Sequence, residues 1–138
     1  LAPTQASARL AAVEQALAER QQQRRASALS ALREQAEALL RRYQQSQLID
    51  ELIDGRAFLQ RHQQDEVLAQ LAAQFADLAR QRFDAALKEG DALYSQGDYR
   101  QAQQRWQVVA PLFPEDPGLQ ARLQRVARVL NTIKTLSE

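Results

Sequence analysis

The chain has 138 residues, 45% hydrophobic and 25% charged, with 18 Lys and Arg against 17 Asp and Glu. Ala (25), Gln (22) and Leu (20) dominate, whereas Gly and Pro number 4 each, Val 6 and Ile 3, so an all-β fold or a parallel-sheet enzyme is excluded and an all-α fold is expected. There is no cysteine and a single histidine, His62, which removes disulfides and thiolate sites and leaves almost no material for a multi-histidine zinc site or a Ser-His-Asp triad.

No apolar run approaches the roughly 18 residues of a membrane span. The chain starts at Leu1 rather than Met, so a fragment is expected, with any signal peptide or lipid-attachment cysteine lying upstream. Charge is unevenly spread: residues 1–46 carry +3, 47–82 carry −2, 83–117 carry −3 and 118–138 carry +3. Basic ends thus flank an acidic middle, read as solvated helix faces or as an acidic or basic docking surface.

Pro3 and Thr4 read as the start of a helix, with Thr4 as its cap. Leu10, Val13 and Leu17 follow at helical spacing, and the stripe then fails over Gln21-Gln22-Gln23-Arg24-Arg25. Ser27 is placed to cap a fresh start, after which Leu29, Leu32, Ala36, Leu39, Leu40 and Tyr43 resume the stripe. One long helix or two nearly collinear ones are expected, with residues 1–26 a poorly packed lead-in, the end of a tether or a coiled-coil strand.

Residues 44–47 form a polar break. Leu48, Ile49, Leu52, Ile53, Ala57, Phe58 and Leu59 then define a helix over 48–63 in which Gly55 allows close approach by a neighbour. Asp65 is placed to cap the next helix. From Val67 the apolar pattern runs through Leu71, Phe75, Leu78, Phe83 and Leu87 to Tyr94; one helix or two meeting near Arg82 would fit, and the absence of Gly, Pro or Asn between 66 and 89 favours one.

Gln96-Gly97-Asp98-Tyr99 is a turn between two helical patterns. Around it stand Gly90, Gly97, Tyr99, Ala102, Trp106 and Pro114, a spacing that resembles the 34-residue tetratricopeptide (TPR) repeat. Small residues at 90 and 102 let two antiparallel helices approach, and Gly97 supplies a positive φ. Tyr99 and Trp106 act as large plugs, and Pro114 ends the second helix. Val109 and Glu89 depart from the usual small and leucine positions. After Pro117-Gly118, a helix with Leu119, Leu123, Val126, Leu130 and Ile133 on one face and Arg122, Arg125 and Arg128 on another suits the capping element of a repeat array.

The resemblance implies an all-α fold: a TPR-like right-handed superhelix of antiparallel helix hairpins with a C-terminal capping helix. Residues 27–82 would be degenerate TPR-like helices, 83–117 the signature repeat and 118–138 the cap. It also implies a concave groove, for which Asp84, Leu87, Asp91 and Tyr94, with Arg122 and Arg125, are the candidate partner-binding residues. The carboxylate-clamp pattern is missing, since Asp91 occupies a key Asn position.

Other chemistries are weaker. Asp50, Glu51, Asp54 and His62 fall within one helix without a metal-ligand pattern, and no catalytic residue, cofactor site or metal site is expected. The doublets Arg24-Arg25 and Arg41-Arg42 lack an aromatic platform, so no nucleic-acid partner is expected. The expected function is non-catalytic binding of another protein, by a monomer. Residues 90–136, with ALYSQGDYRQAQQRWQ followed by LQARLQRVARVLNTIKTL, are similar to the C-terminal TPR region of LpoP-type outer-membrane lipoproteins. That resemblance implies lipid anchoring at the periplasmic face of the outer membrane, contact with the membrane only through an anchor outside this chain, and stimulation of a class A penicillin-binding protein in peptidoglycan synthesis. The rival expectations are a TPR adaptor of a pilus, secretion or exopolysaccharide system, and a coiled-coil oligomerisation module using residues 5–45.

Overall fold

The computed structural model describes residues 3–138 and, among them, contains helices and no strand. Five helices follow in order: α1 (Pro3–Ser46), α2 (Ile49–Arg61), α3 (Glu66–Ser95), α4 (Tyr99–Val109) and α5 (Pro117–Ser137), with a short 3-10 turn at Ala110–Leu112. Leu1 and Ala2, the first residues of the expected lead-in, lie outside the described residues.

Helix α1 is continuous. Thr4 lies inside it rather than capping it, and Ser27 starts nothing new, because the polar stretch at 21–25 contains no residue that breaks a helix. The side chains of residues 4–28 are all exposed, Leu10, Val13 and Leu17 at 60, 56 and 52%. Burial begins at Leu29 and deepens at Ala36 and Tyr43. The helix ends where Gln47 takes a left-handed conformation (φ 57°) and its N–H donates to the Tyr43 carbonyl at 2.8 Å, closing the last turn.

The core unites Ala36 and Tyr43 of α1, Leu52 and Leu59 of α2, Leu68, Phe75, Ala79 and Phe83 of α3, Ala102, Trp106 and Val109 of α4, and Leu119 and Val126 of α5. Each helix packs chiefly on its neighbours in the chain, and α1 also meets α3. Helix α3 is the spine. Its first half closes a bundle with α1 and α2, and its second half supports α4, with α5 laid against α4. The boundary expected between residues 82 and 83 therefore falls inside one unbroken helix: Arg82 and Phe83 carry helical propensity straight through it.

Three local devices set the angles between helices. Asp65 caps α3, its carboxylate accepting from the Leu68 N–H at 2.9 Å while it also pairs with Arg33 of α1. Gly55 lets α2 approach α3, since a Cβ there would lie 2.3 Å from the Phe75 ring. Arg56 of α2 donates to the Leu112 carbonyl at 2.8 Å and stands 4.9 Å from the Phe113 ring, whose other neighbours are the Arg80 guanidinium at 4.3 Å and Phe83, edge-on at 5.0 Å. This cluster ties α2 and α3 to the segment between α4 and α5.

Candidate functional site

The α3–α4 hairpin is built around its turn. Gly97 has φ 86°, its N–H donates to the Tyr94 carbonyl at 3.1 Å, and the Asp98 N–H donates to Leu93 at 2.9 Å. This is the Schellman arrangement, which satisfies two carbonyls at the end of α3 and reverses the chain. Ala102 is buried, Tyr99 is half-buried, and Trp106 is fully buried with its indole N–H donating to the Leu87 carbonyl at 3.3 Å. Val109 is also buried, whereas Glu89 is exposed and faces Arg105 of α4 at 3.7 Å.

Pro114 does not end α4. The α-helix stops at Val109, where Pro111, with no N–H and a ring that would meet the carbonyl four residues earlier, converts the chain to the 3-10 turn. Pro114 follows in the turn towards α5, which opens with Asp116 as cap (its carboxylate accepts from Leu119 N–H at 3.0 Å) and Pro117 in the first turn.

Helix α5 stands across α4 from α3, and the space left between the C-terminal half of α3 and the N-terminal half of α5 is an open cleft of about 730 Å³. Asp91, Tyr94 and Ser95 line it from α3; Gly118, Ala121, Arg122, Arg125 and Arg128 line it from α5. Asp91 and Arg122 bridge it at one side in a bidentate pair, Nε to Oδ1 at 2.8 Å and Nη2 to Oδ2 at 2.9 Å, with Nη1 of Arg122 donating to the Gly118 carbonyl at 3.1 Å. The Arg122 hydrogen bond holds the Asp91 carboxyl below its ordinary range despite some desolvation, and Asp91 raises Arg122 in return. Arg125 lies 4.3 Å over the Tyr94 ring, which meets Tyr99 edge-on at 5.0 Å and sits 6.2 Å from Trp106.

Of the six candidate partner-binding residues, the fold brings Asp91, Tyr94, Arg122 and Arg125 to one cleft. Asp84 and Leu87 do not line it. Asp84 stands two turns before Asp91 and faces Arg80 at 3.7 Å, beside the start of α5 rather than along its arginine face. Leu87 is half-buried against the core and offers its carbonyl to Trp106. Ser95, Gly118, Ala121 and Arg128 complete the lining. Arg128 was visible in the sequence as the third arginine at a spacing of three; nothing in the sequence marks Ser95.

No protein-family model matches the chain, and no curated protein or solved structure gives a significant match to it. The site therefore stands on its geometry. Among the described residues no three His, Asp or Glu side chains gather as metal ligands, and His62 rests against the Phe58 ring at 4.6 Å. No described helix is long and apolar enough to cross a membrane. The cleft is chemically suited to recognition: one half-buried aromatic ring, one internal ion pair, and cations at its rim.

Proposed function

We propose that this chain is a non-catalytic protein-binding domain that receives a segment of another protein in the cleft between α3 and α5. The observation that carries this reading is the cleft itself: Tyr94 is held half-buried between Tyr99, Trp106 and Arg125, so an aromatic surface is presented with little freedom left to lose on binding. The hairpin of α3 and α4, with Gly90 against Trp106 and Gly97 at positive φ, supports a TPR-like unit capped by α5. In that frame residues 27–82 are degenerate helices sharing the long α3, and the array is a right-handed superhelix.

The resemblance read in the sequence of residues 90–136 to LpoP-type lipoproteins is the ground for naming a first client, a class A penicillin-binding protein. The domain would then act at the periplasmic face of the outer membrane and stimulate peptidoglycan synthesis by contact with the synthase. The test is affinity capture from envelope extract with the wild-type domain and with Tyr94→Ala, followed by a glycosyltransferase assay of the purified synthase. Cleft-dependent capture of the synthase together with faster glycan polymerisation is the expected result. Capture of a pilus, secretion or exopolysaccharide component in its place would keep the protein-binding role and replace the client.

A further inference from the structure

We propose that the α3–α5 cleft selects an acidic segment of its partner, with Arg125 and Arg128 receiving the carboxylates. The inference rests on the protein-binding reading and specifies its ligand chemistry. Three guanidiniums line the cleft and Asp91 is the one anion among the lining residues. Asp91 is spent on Arg122, whose Nε, Nη1 and Nη2 all have acceptors within 3.1 Å. Arg125 and Arg128 are different. Among the described residues neither forms an ion pair, and both are exposed at the cleft.

Arg125 is also preorganised. Its guanidinium carbon lies 4.3 Å over the Tyr94 ring, which holds the cation at the aromatic surface, and the fork of N–H donors on a guanidinium suits a bidentate carboxylate. Arg128 follows on the same face of α5, one turn further along. An acidic side chain at Arg125, with an apolar neighbour on Tyr94, satisfies both halves of the cleft. The cleft's volume lies in the range of ordinary recognition pockets.

Charge beyond the cleft decides the class of anion. Residues 83–117 carry −3, with Asp84, Glu89 and Asp98 exposed around the hairpin. A long polyanion such as nucleic acid needs a continuous basic track and would meet this acidic surround. A short acidic stretch of a protein fits within the cleft, where three guanidiniums stand against one carboxylate already paired with Arg122.

The experiment uses the full chain and fluorescence anisotropy with a short labelled peptide rich in Asp and Glu and containing two aromatic residues. Its Asn/Gln counterpart, its Lys counterpart and a single-stranded DNA of equal charge serve as comparators. The acidic peptide should bind, weaken with added salt, and lose about tenfold or more affinity in the Arg125→Glu, Arg128→Glu double variant. Asp91→Asn, which releases the Arg122 guanidinium, should change affinity in the opposite direction and tighten the same peptide. Circular dichroism of both variants controls for folding. Equal binding of the Asn/Gln peptide, lost in Tyr94→Ala, would overturn the acidic preference while leaving the protein-binding reading intact. Failure of every peptide to bind would overturn both, and tighter binding of the DNA would overturn the assignment to a protein ligand.

Discussion

The indole of Trp106 occupies the space that a side chain at residue 90 would need: a Cβ on Gly90 would fall 2.1 Å from Nε1 and 2.5 Å from Cε2. The absence of a side chain on α3 and the largest side chain of the core on α4 are thus one packing feature. It fixes how closely the two helices approach and keeps Tyr94, one turn along α3, beside the indole.

The same relationship predicts an inverted sign for a common stabilising substitution. Gly→Ala inside a helix ordinarily stabilises by about 1 kcal/mol. Gly90→Ala should instead destabilise by about 1–3 kcal/mol, because the indole has no room to retreat. Gly55→Ala should behave alike through Phe75, where the Cβ would stand 2.3 Å from the ring. Urea unfolding of both variants checks this, and a raised midpoint in either would show that the ring moves freely.

Trp106→Ala should cost about 3–5 kcal/mol, the loss of a fully buried plug together with its cavity. Trp106→Phe should cost less, since it keeps most of the volume and loses the hydrogen bond to the Leu87 carbonyl. Thermal melts of the two variants should rank wild type above Phe above Ala.

Acid should destabilise the domain through two identified carboxylates. The Leu68 N–H, and then Arg33, hold Asp65 down; the Arg122 hydrogen bond holds Asp91 down; desolvation opposes both. A depressed carboxylate contributes stability above its unfolded pKa of about 4, and that contribution is lost as pH falls through the folded value. Stability should therefore be level from neutral pH to about 5 and decline below about 4. Asp65→Asn keeps a capping side chain and removes the titration. Paired with Asp91→Asn it should flatten the decline, as read from urea midpoints across the acid range.

Much of this architecture is legible locally. The capping role of Asp65, the close approach at Gly55, the positive φ of Gly97 and the run of α3 through Arg82 all follow from neighbouring residues or from the absence of breakers. The errors are of the same kind. Thr4 and Ser27 have the chemistry of caps, but no interruption accompanies them, and Pro114 matched a repeat position while Pro111 supplied the actual stop. The site is harder to read. Asp91 and Arg122 are 31 residues apart, and nothing in either helix alone announces their pairing. Asp84 shares a helical face with Asp91 yet lies about 10 Å further down the axis, short of the cleft, and only tertiary packing reveals that.

The exposed lead-in separates monomer from oligomer. Residues 4–28 contribute no buried side chain, so a chain beginning at Ser27 should unfold with an unchanged urea midpoint. The stripe of Leu10, Val13 and Leu17 is the specific feature that favours the coiled-coil reading, and sedimentation equilibrium of the full and shortened chains decides it. A monomer in both is expected; a dimer lost on shortening would establish the stripe as an oligomer seam.

Whether partners are received between α3 and α5 is decided by amide chemical-shift mapping. Titration of the labelled domain with the acidic peptide should move the amides of Tyr94, Ser95, Ala121, Arg125 and Arg128 first, leaving those of residues 4–28 in place. Shifts confined to the α1–α2 face around Leu39, Arg42, Phe58 and Arg61 would place binding away from the α3–α5 cleft and overturn its role.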